Sequence, residues 1–175
     1  MKQVTDYPEI QTERLRLRRV RLSDAPAMLI YMSDEDTVRW LSGVRKQTIT
    51  EIAKSIRDYF WHDEPGTMKY AIADLETDEL IGTIDFRYHS NQNDAEIGYV
   101  LTPQRRGNGY VSEAVRALLH IGFTELGINV IWIGHDQGNV RSRRVPQRLG
   151  FHTEGVDSKG HQIWTLTKRQ YLAMQ

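Results

Sequence analysis

The chain has 175 residues, 39% hydrophobic and 26% charged, and its 23 basic and 23 acidic side chains cancel. That balance suits one globular domain over residues 1–175 and argues against bulk electrostatic attraction to nucleic acid or an anionic membrane. Cysteine is absent, which removes disulfides, thiolate metal sites and a cysteine nucleophile. No apolar run nears the roughly 20 residues of a membrane span, and "MKQVTDYPEI" lacks the apolar stretch of a signal peptide. The expectation is a cytoplasmic protein with no metal, nucleic-acid or membrane partner.

In chain order, "RLRLRRVRL" (Arg14 to Leu22) alternates as a strand, with Leu15 and Leu17 on one face and the arginines on a solvated other face. Ser23 is placed to cap a helix beginning near Asp24, with Ala27, Met28 and Tyr31 inward. In "TITEIAKSIRDYFW", Ile49, Ile52, Ile56 and Phe60 recur at helical spacing. Trp40, Tyr59 and Trp61 nearby read as core aromatics. "DEPGT" (Asp63 to Thr67) is a turn. "KYAIADLETDELIGTIDFRYH" reads as two strands joined at the polar "ETDE", and "AEIGYVL" (Ala95 to Leu101) is a third.

"YVSEAVRALLHIGFTELG" then carries the helical stripe Val111, Ala114, Val115, Leu118 and Ile121, stopped by Gly127. "NVIWIG" is a short buried strand. Asn139 is positioned to cap a helix to Leu149, closed by Gly150, and "HQIWTLTK" is a final strand. The mixed order indicates an α+β (α/β mixed) sheet with antiparallel and parallel portions.

The loop "PQRRGNGY" (Pro103 to Tyr110) precedes the long helix. It lacks the lysine of a P-loop. Gly107, Gly109 and Ser112 approach a dinucleotide fingerprint, but five residues separate Leu101 from Gly107, where that fingerprint follows its strand directly. A pyrophosphate cradle fits better. Glycines let the backbone approach an anion, a helix N-terminus offers free N–H groups, and Arg105 and Arg106 add charge. An ordinary surface turn is the other reading open from the loop alone.

The run from "AEIGYVLTPQRRGNGYVSEAV" to "NVRSRRVPQRLGF", with the N-terminal "TERLRLRRVRLSDA", resembles the GNAT superfamily of N-acetyltransferases, within it the RimJ/RimL-like branch of ribosomal-protein N-terminal acetyltransferases. The likeness spans about residues 10 to 170. Gln104 to Gly109 fits the family's acetyl-CoA signature Q/R-x-x-G-x-G/A, and Asn139-x-x-Ser142 fits the branch. The resemblance implies a GNAT-like fold: a central, mostly antiparallel sheet flanked by helices, splayed at a bulge in "EIGYVL" where acetyl-CoA lies. It implies that backbone groups of Val100, Leu101 and Thr102 pair with the pantetheine arm. The loop Gln104, Arg105, Arg106, Gly107, Asn108, Gly109 and Tyr110 would bind the pyrophosphate, and Asn139 and Ser142 would contact the cofactor from the next helix.

The implied reaction is attack of a primary amine, a protein N-terminus or a small molecule, on the thioester. A free amine is largely protonated at pH 7, with a pKa of about 8 for an α-amino group and about 10 for lysine, so a base is required. Glu96 is the first candidate and Asp85 a weaker one; a solvent-facing carboxylate is the alternative for Glu96. An N–H near Val100 or Leu101 would serve the oxyanion. Ser142 is the candidate donor to the leaving thiolate. Many relatives place a tyrosine acid four residues on, but Pro146 stands there. Pro146 cannot donate to the Ser142 carbonyl, so a kink and a freed carbonyl near the thiol are expected. Arg141, Arg143, Arg144 and Arg148 read as a solvated face, with one able to reach the coenzyme's 3′-phosphate. A non-catalytic acyl-CoA-binding module is the competing reading. A homodimer through exposed C-terminal strands is permitted.

Overall fold

Alternating apolar runs assemble into one eight-stranded sheet. In the computed structural model, which describes residues 8–41 and 44–175, the strands are β1 (Ile10–Gln11), β2 (Leu15–Arg18), β3 (Thr67–Asp74), β4 (Leu80–His89), β5 (Asp94–Leu101), β6 (Val130–Asp136), β7 (His152–Val156) and β8 (His161–Thr167). Their order is β1-β2-β3-β4-β5-β6-β8-β7. Neighbours are antiparallel except β5 and β6, which run parallel. The helices are α1 (Ala25–Met32), α2 (Glu35–Val38), α3 (Ile49–Ser55), α4 (Tyr110–His120), α5 (Val140–Arg148) and α6 (Lys168–Ala173). The leader-free reading of the N-terminus rests on residues 1–7 and lies outside the described residues.

Two apolar clusters cover the two faces of the sheet. On one, Leu15, Leu17, Tyr70, Ile84, Phe86 and Ile97 meet Ala114, Val115, Leu118 and Leu119 of α4. On the other, Ala71 and Leu80 meet Met28 and Tyr31 of α1 and Ile52 of α3. The α4 stripe therefore forms as its spacing predicts. Gly122 lies against Phe86 and Ile131 so closely that a Cβ there would stand 2.7 Å from the Ile131 side chain.

The sheet opens between β5 and β6. They pair at Asp94↔Val130, Ala95↔Ile131 and Glu96↔Trp132. Beyond Glu96 each stays with its outer neighbour: β5 follows β4 to Leu101↔Gly82, and β6 follows β8 to Asp136↔His161. The expected bulge in "EIGYVL" is not there, because the β4–β5 register runs unbroken from His89↔Asp94 to Gly82↔Leu101. Divergence of two parallel strands makes the splay, not an extra residue.

Other expectations need correction. The strand arginines do not all face solvent: Arg18 is 1% exposed, bonded to Asp24 through both terminal nitrogens (2.9 Å each) and to Asp78 (3.0 Å). Ser23 is exposed and does not cap α1. Asp24 instead accepts the Arg21 N–H at 2.7 Å, and Pro26 occupies the first turn. Ile49, Tyr59 and Trp61 are 43%, 40% and 41% exposed, so the core stripe of this segment is Ile52, Ile56 and Phe60. The helices starting at Ile49 and Tyr110 both end in a π-helical turn, residues 56–60 and 121–125. A helix, α6, follows the last strand; Thr167 caps it by accepting the Gln170 N–H.

Candidate functional site

Three pieces border the opened stretch of β5: the loop before α4, the start of α5, and a polar cluster on the α1–α3 face of the sheet. The loop begins with a short helical turn, Pro103–Arg105. Gly107 and Gly109 have φ of +82° and +80°, a conformation that disfavours other residues. No atom lies within 4 Å of a Cβ built on Gly107, so its outer side is open. The first bond of α4 is Glu113 N–H to the Gly109 carbonyl at 3.0 Å, which leaves the N–H groups of Tyr110, Val111 and Ser112 without a partner in the helix. The loop thus offers consecutive open donors at the positive end of a helix.

Its side chains mostly hold the loop in shape. Asn108 donates from Nδ2 to the carbonyls of Arg105 (3.2 Å) and Arg106 (3.1 Å), and Gln104 accepts from the Thr102 hydroxyl at 3.0 Å. Arg105 turns to the β3–β4 hairpin, 3.4 Å from Glu79 and 3.7 Å from Asp74, rather than into the loop. Arg106 donates to the Thr37 hydroxyl in α2. Burial, and then the neighbouring Arg141, lower its pKa. Asp34 and Asp36 act against the repulsion from Arg141, and Asp36 bonds Arg141 at 2.7 Å.

A clamp from the far end of the chain fixes the same loop. Arg14 donates to the Asn108 carbonyl (3.1 Å), pairs with Glu113 (2.7 Å) and lies 4.6 Å from the centre of the Tyr110 ring. Glu113 also accepts from the Thr12 hydroxyl (2.6 Å) and the Arg14 N–H (2.8 Å). Burial alone would raise the Glu113 pKa, but these donors lower it. Sequence reasoning missed Arg14, because about 100 residues separate it from its partners.

Just past β5, the Thr102 N–H reaches the Ile81 carbonyl (2.8 Å), and its own carbonyl accepts from Arg105 (3.1 Å). The Val100 carbonyl lies against Gly82 of β4, and Gly98 N–H reaches Asp85 (3.0 Å). Residues 98, 100 and 102 therefore turn their main chain to β4. Strand alternation turns that of Ile97, Tyr99 and Leu101 toward the gap. Of the three expected contacts, Leu101 is placed for one, and Val100 and Thr102 are not.

Asn139 caps α5 as expected, its Oδ1 accepting the Ser142 N–H at 3.1 Å, which leaves its Nδ2 for other partners. The helix continues through Pro146 to Arg148. The Ser142 carbonyl, which Pro146 cannot reach with an N–H, is not left open: the Tyr99 hydroxyl donates to it at 3.0 Å and lies 3.1 Å from Ser142 Oγ. Burial pushes the Tyr99 phenol well above its ordinary pKa, and the Ser142 contact offsets this in part.

On the other face, Arg87 joins both candidate bases. It stands 2.7 Å from Asp85 and 2.7 Å from Glu96. Asp85 also accepts from the Tyr59 hydroxyl at 2.9 Å, and its carboxylate sits where a Cβ on Gly98 would lie 2.6 Å away. Burial raises the Asp85 pKa against the pull of Arg87 and Tyr59. Glu96 occupies the last rung before the strands part, and Gly98 the open stretch beyond it. A half-buried carboxylate pair at the mouth of a cleft can attract a cationic amine and take its proton.

An opened parallel strand pair, a donor-rich loop on a helix N-terminus and a facing carboxylate pair define a class of acyl-group transferase. Residues 14–152 match the model of the acetyltransferase (GNAT) domain, and the chain belongs to this family. It is 32% identical to the uncharacterized N-acetyltransferase p20 of Bacillus licheniformis over 93% of this chain and 97% of that protein. It is 38% identical to the ribosomal-protein-serine acetyltransferase of Escherichia coli K12 over 46% of each. Its fold matches the ribosomal L7/L12 alpha-N-protein acetyltransferase RimL, solved with coenzyme A, with a TM-score of 0.77 and 19% identity over 91% of this chain and 98% of that one. The chain is an acetyl-CoA-dependent N-acetyltransferase, acting on an amine. No described helix is long and apolar enough to cross a membrane.

Proposed function

We propose that acetyl-CoA lies in the β5–β6 gap with its diphosphate on the N–H groups of Gly107 to Ser112, and that Glu96 relieves the acceptor amine of its proton from the α1–α3 face. The single observation that carries this is the end of β5–β6 pairing at Glu96↔Trp132, beyond which β5 is unpaired on its β6 side. Acetyl-CoA supplies a thioester whose carbonyl accepts an amine. The N–H of Leu101 or Tyr99, turned to the gap, is the donor for the oxyanion. Asn139 Nδ2 and the Ser142 hydroxyl contact the pantetheine end.

The acceptor is a primary amine on a protein N-terminus or a small molecule. The segment between α1 and β3 and the β7–β8 turn supply its specificity. The branch, with its ribosomal-protein acetyltransferase relatives, supports the protein N-terminus. A homodimer through the exposed edge strand β7 and a cytoplasmic location complete the reading.

Glu96→Gln should lower kcat about 100-fold while the acetyl-CoA Kd stays within about twofold. Steady-state kinetics and calorimetry on the same preparation would read this. Equal loss of both would assign Glu96 to binding. Asp85 is a second reading, favoured by its raised pKa and its seat over Gly98. It would replace the first if Asp85→Asn alone abolished turnover.

A further inference from the structure

Position 146 carries a proline inside α5, and the helix continues through it. Proline leaves the Ser142 carbonyl without its helical donor inside a partly buried site, and an unmet buried carbonyl is costly. Tyr99 meets that need from the opposite wall. It lies on the opened stretch of β5 with its ring on the α4 side of the sheet, and its hydroxyl reaches both oxygens of Ser142. A phenol has one proton and a carbonyl can only accept. Tyr99 therefore donates to the Ser142 carbonyl, and the Ser142 hydroxyl donates to the Tyr99 oxygen. The pair is a closed two-bond ring linking β5 to α5 across the gap.

We infer that Tyr99 is a positioning residue for acetyl transfer: it replaces the backbone donor that Pro146 removed and holds the Ser142 hydroxyl at the reacting end of the cleft. Tyr99 and Pro146 then form a matched set. The proline frees the carbonyl, and the carbonyl fixes which way the phenol proton points. That in turn anchors the seryl oxygen, whose single proton leaves Tyr99 when the hydroxyl turns to a departing thiolate. The inference rests on the proposed role of Ser142.

Five variants test it: Tyr99→Phe, Pro146→Ala, Ser142→Ala, and Tyr99→Phe combined with each of the other two. Tyr99→Phe removes the carbonyl's donor and should lower Tm by about 3–6 °C. In the Pro146→Ala background residue 146 has an N–H for that carbonyl, so the same substitution should cost less than half as much. This double variant also serves if Tyr99→Phe alone folds poorly. Restoring the backbone bond does not restore the hydroxyl's partner. Tyr99→Phe should therefore keep kcat about tenfold down in both backgrounds, with the KM for acetyl-CoA within about twofold. It should lower kcat no further on Ser142→Ala.

An equal Tm cost in both backgrounds would overturn the exchange between Tyr99 and Pro146. Recovery of kcat together with Tm would reduce Tyr99 to a structural residue and overturn the positioning role. If Ser142→Ala alone left kcat unchanged, the proposed role of Ser142 would fail, and with it the kinetic half of the inference. The Tm cycle would still decide the exchange.

Discussion

At the scale of single residues, charges buried in pairs do more here than charges on the surface. Arg18 and Asp24 tie β2 to the entry of α1, and Asp78 of the β3–β4 hairpin closes the group. Removing one partner strands the other in a dry site, whereas exposed pairs such as Arg19 with Asp63 are worth little. Asp24→Ala should therefore destabilise the protein by about 3 kcal/mol in urea unfolding. A loss under about 1 kcal/mol would show that Asp78 alone satisfies Arg18. The sequence could not disclose this pair, since Arg14, Arg16 and Arg18 alternate with the leucines alike. Which one is covered depends on where α1 and the hairpin fold back. Glu96 and Asp85 were visible as candidates, but Arg87, which binds both, was not.

At the scale of elements, caps and periodic stripes were legible because they are local. The α4 stripe, the Asn139 cap and the glycines that end α4 and α5 form where spacing and residue type require. Even α6 carried a readable signal in Thr167-x-x-Gln170, a capping box. The matching box at α3, Thr48 with Glu51, makes a pH prediction. Bonds from the Thr48 backbone, from Arg45 and from the Thr48 hydroxyl lower the Glu51 pKa from 4.5 to about 2. A carboxyl with a depressed folded pKa adds stability that is full above its unfolded value and is lost as pH falls to the folded one. The Tm gap between wild type and Glu51→Gln should be constant above pH 4.5 and close as pH falls to about 2. A gap unchanged across that window would mean the box contributes no charge-dependent stability. The parting of β5 and β6 was expected only through the family likeness. Its cause is a competition between neighbours far apart in sequence, so the expected bulge was misplaced.

At the scale of the molecule, the parallel β5–β6 junction is a seam of the sheet where the strands part beyond Glu96↔Trp132. The chain's ends build around it. The N-terminal segment clamps the loop through Arg14, and β8 draws β6 away from β5. The Ser142 carbonyl, which Pro146 leaves without a helical donor, is met across the gap by the Tyr99 hydroxyl. Net charge gave no guide to the acceptor, since the polar groups that matter are local and paired.

The most direct test is calorimetric titration of wild type and Gly107→Val with acetyl-CoA, CoA, NADH and ATP. Gly107 has a φ of +82° and open space around it, so valine there distorts the cradle without disturbing the core. The account predicts selective binding of acetyl-CoA and CoA by wild type, and at least about tenfold weaker binding by the variant. Equal affinity in the two proteins, or tighter binding of NADH than of CoA, would contradict it.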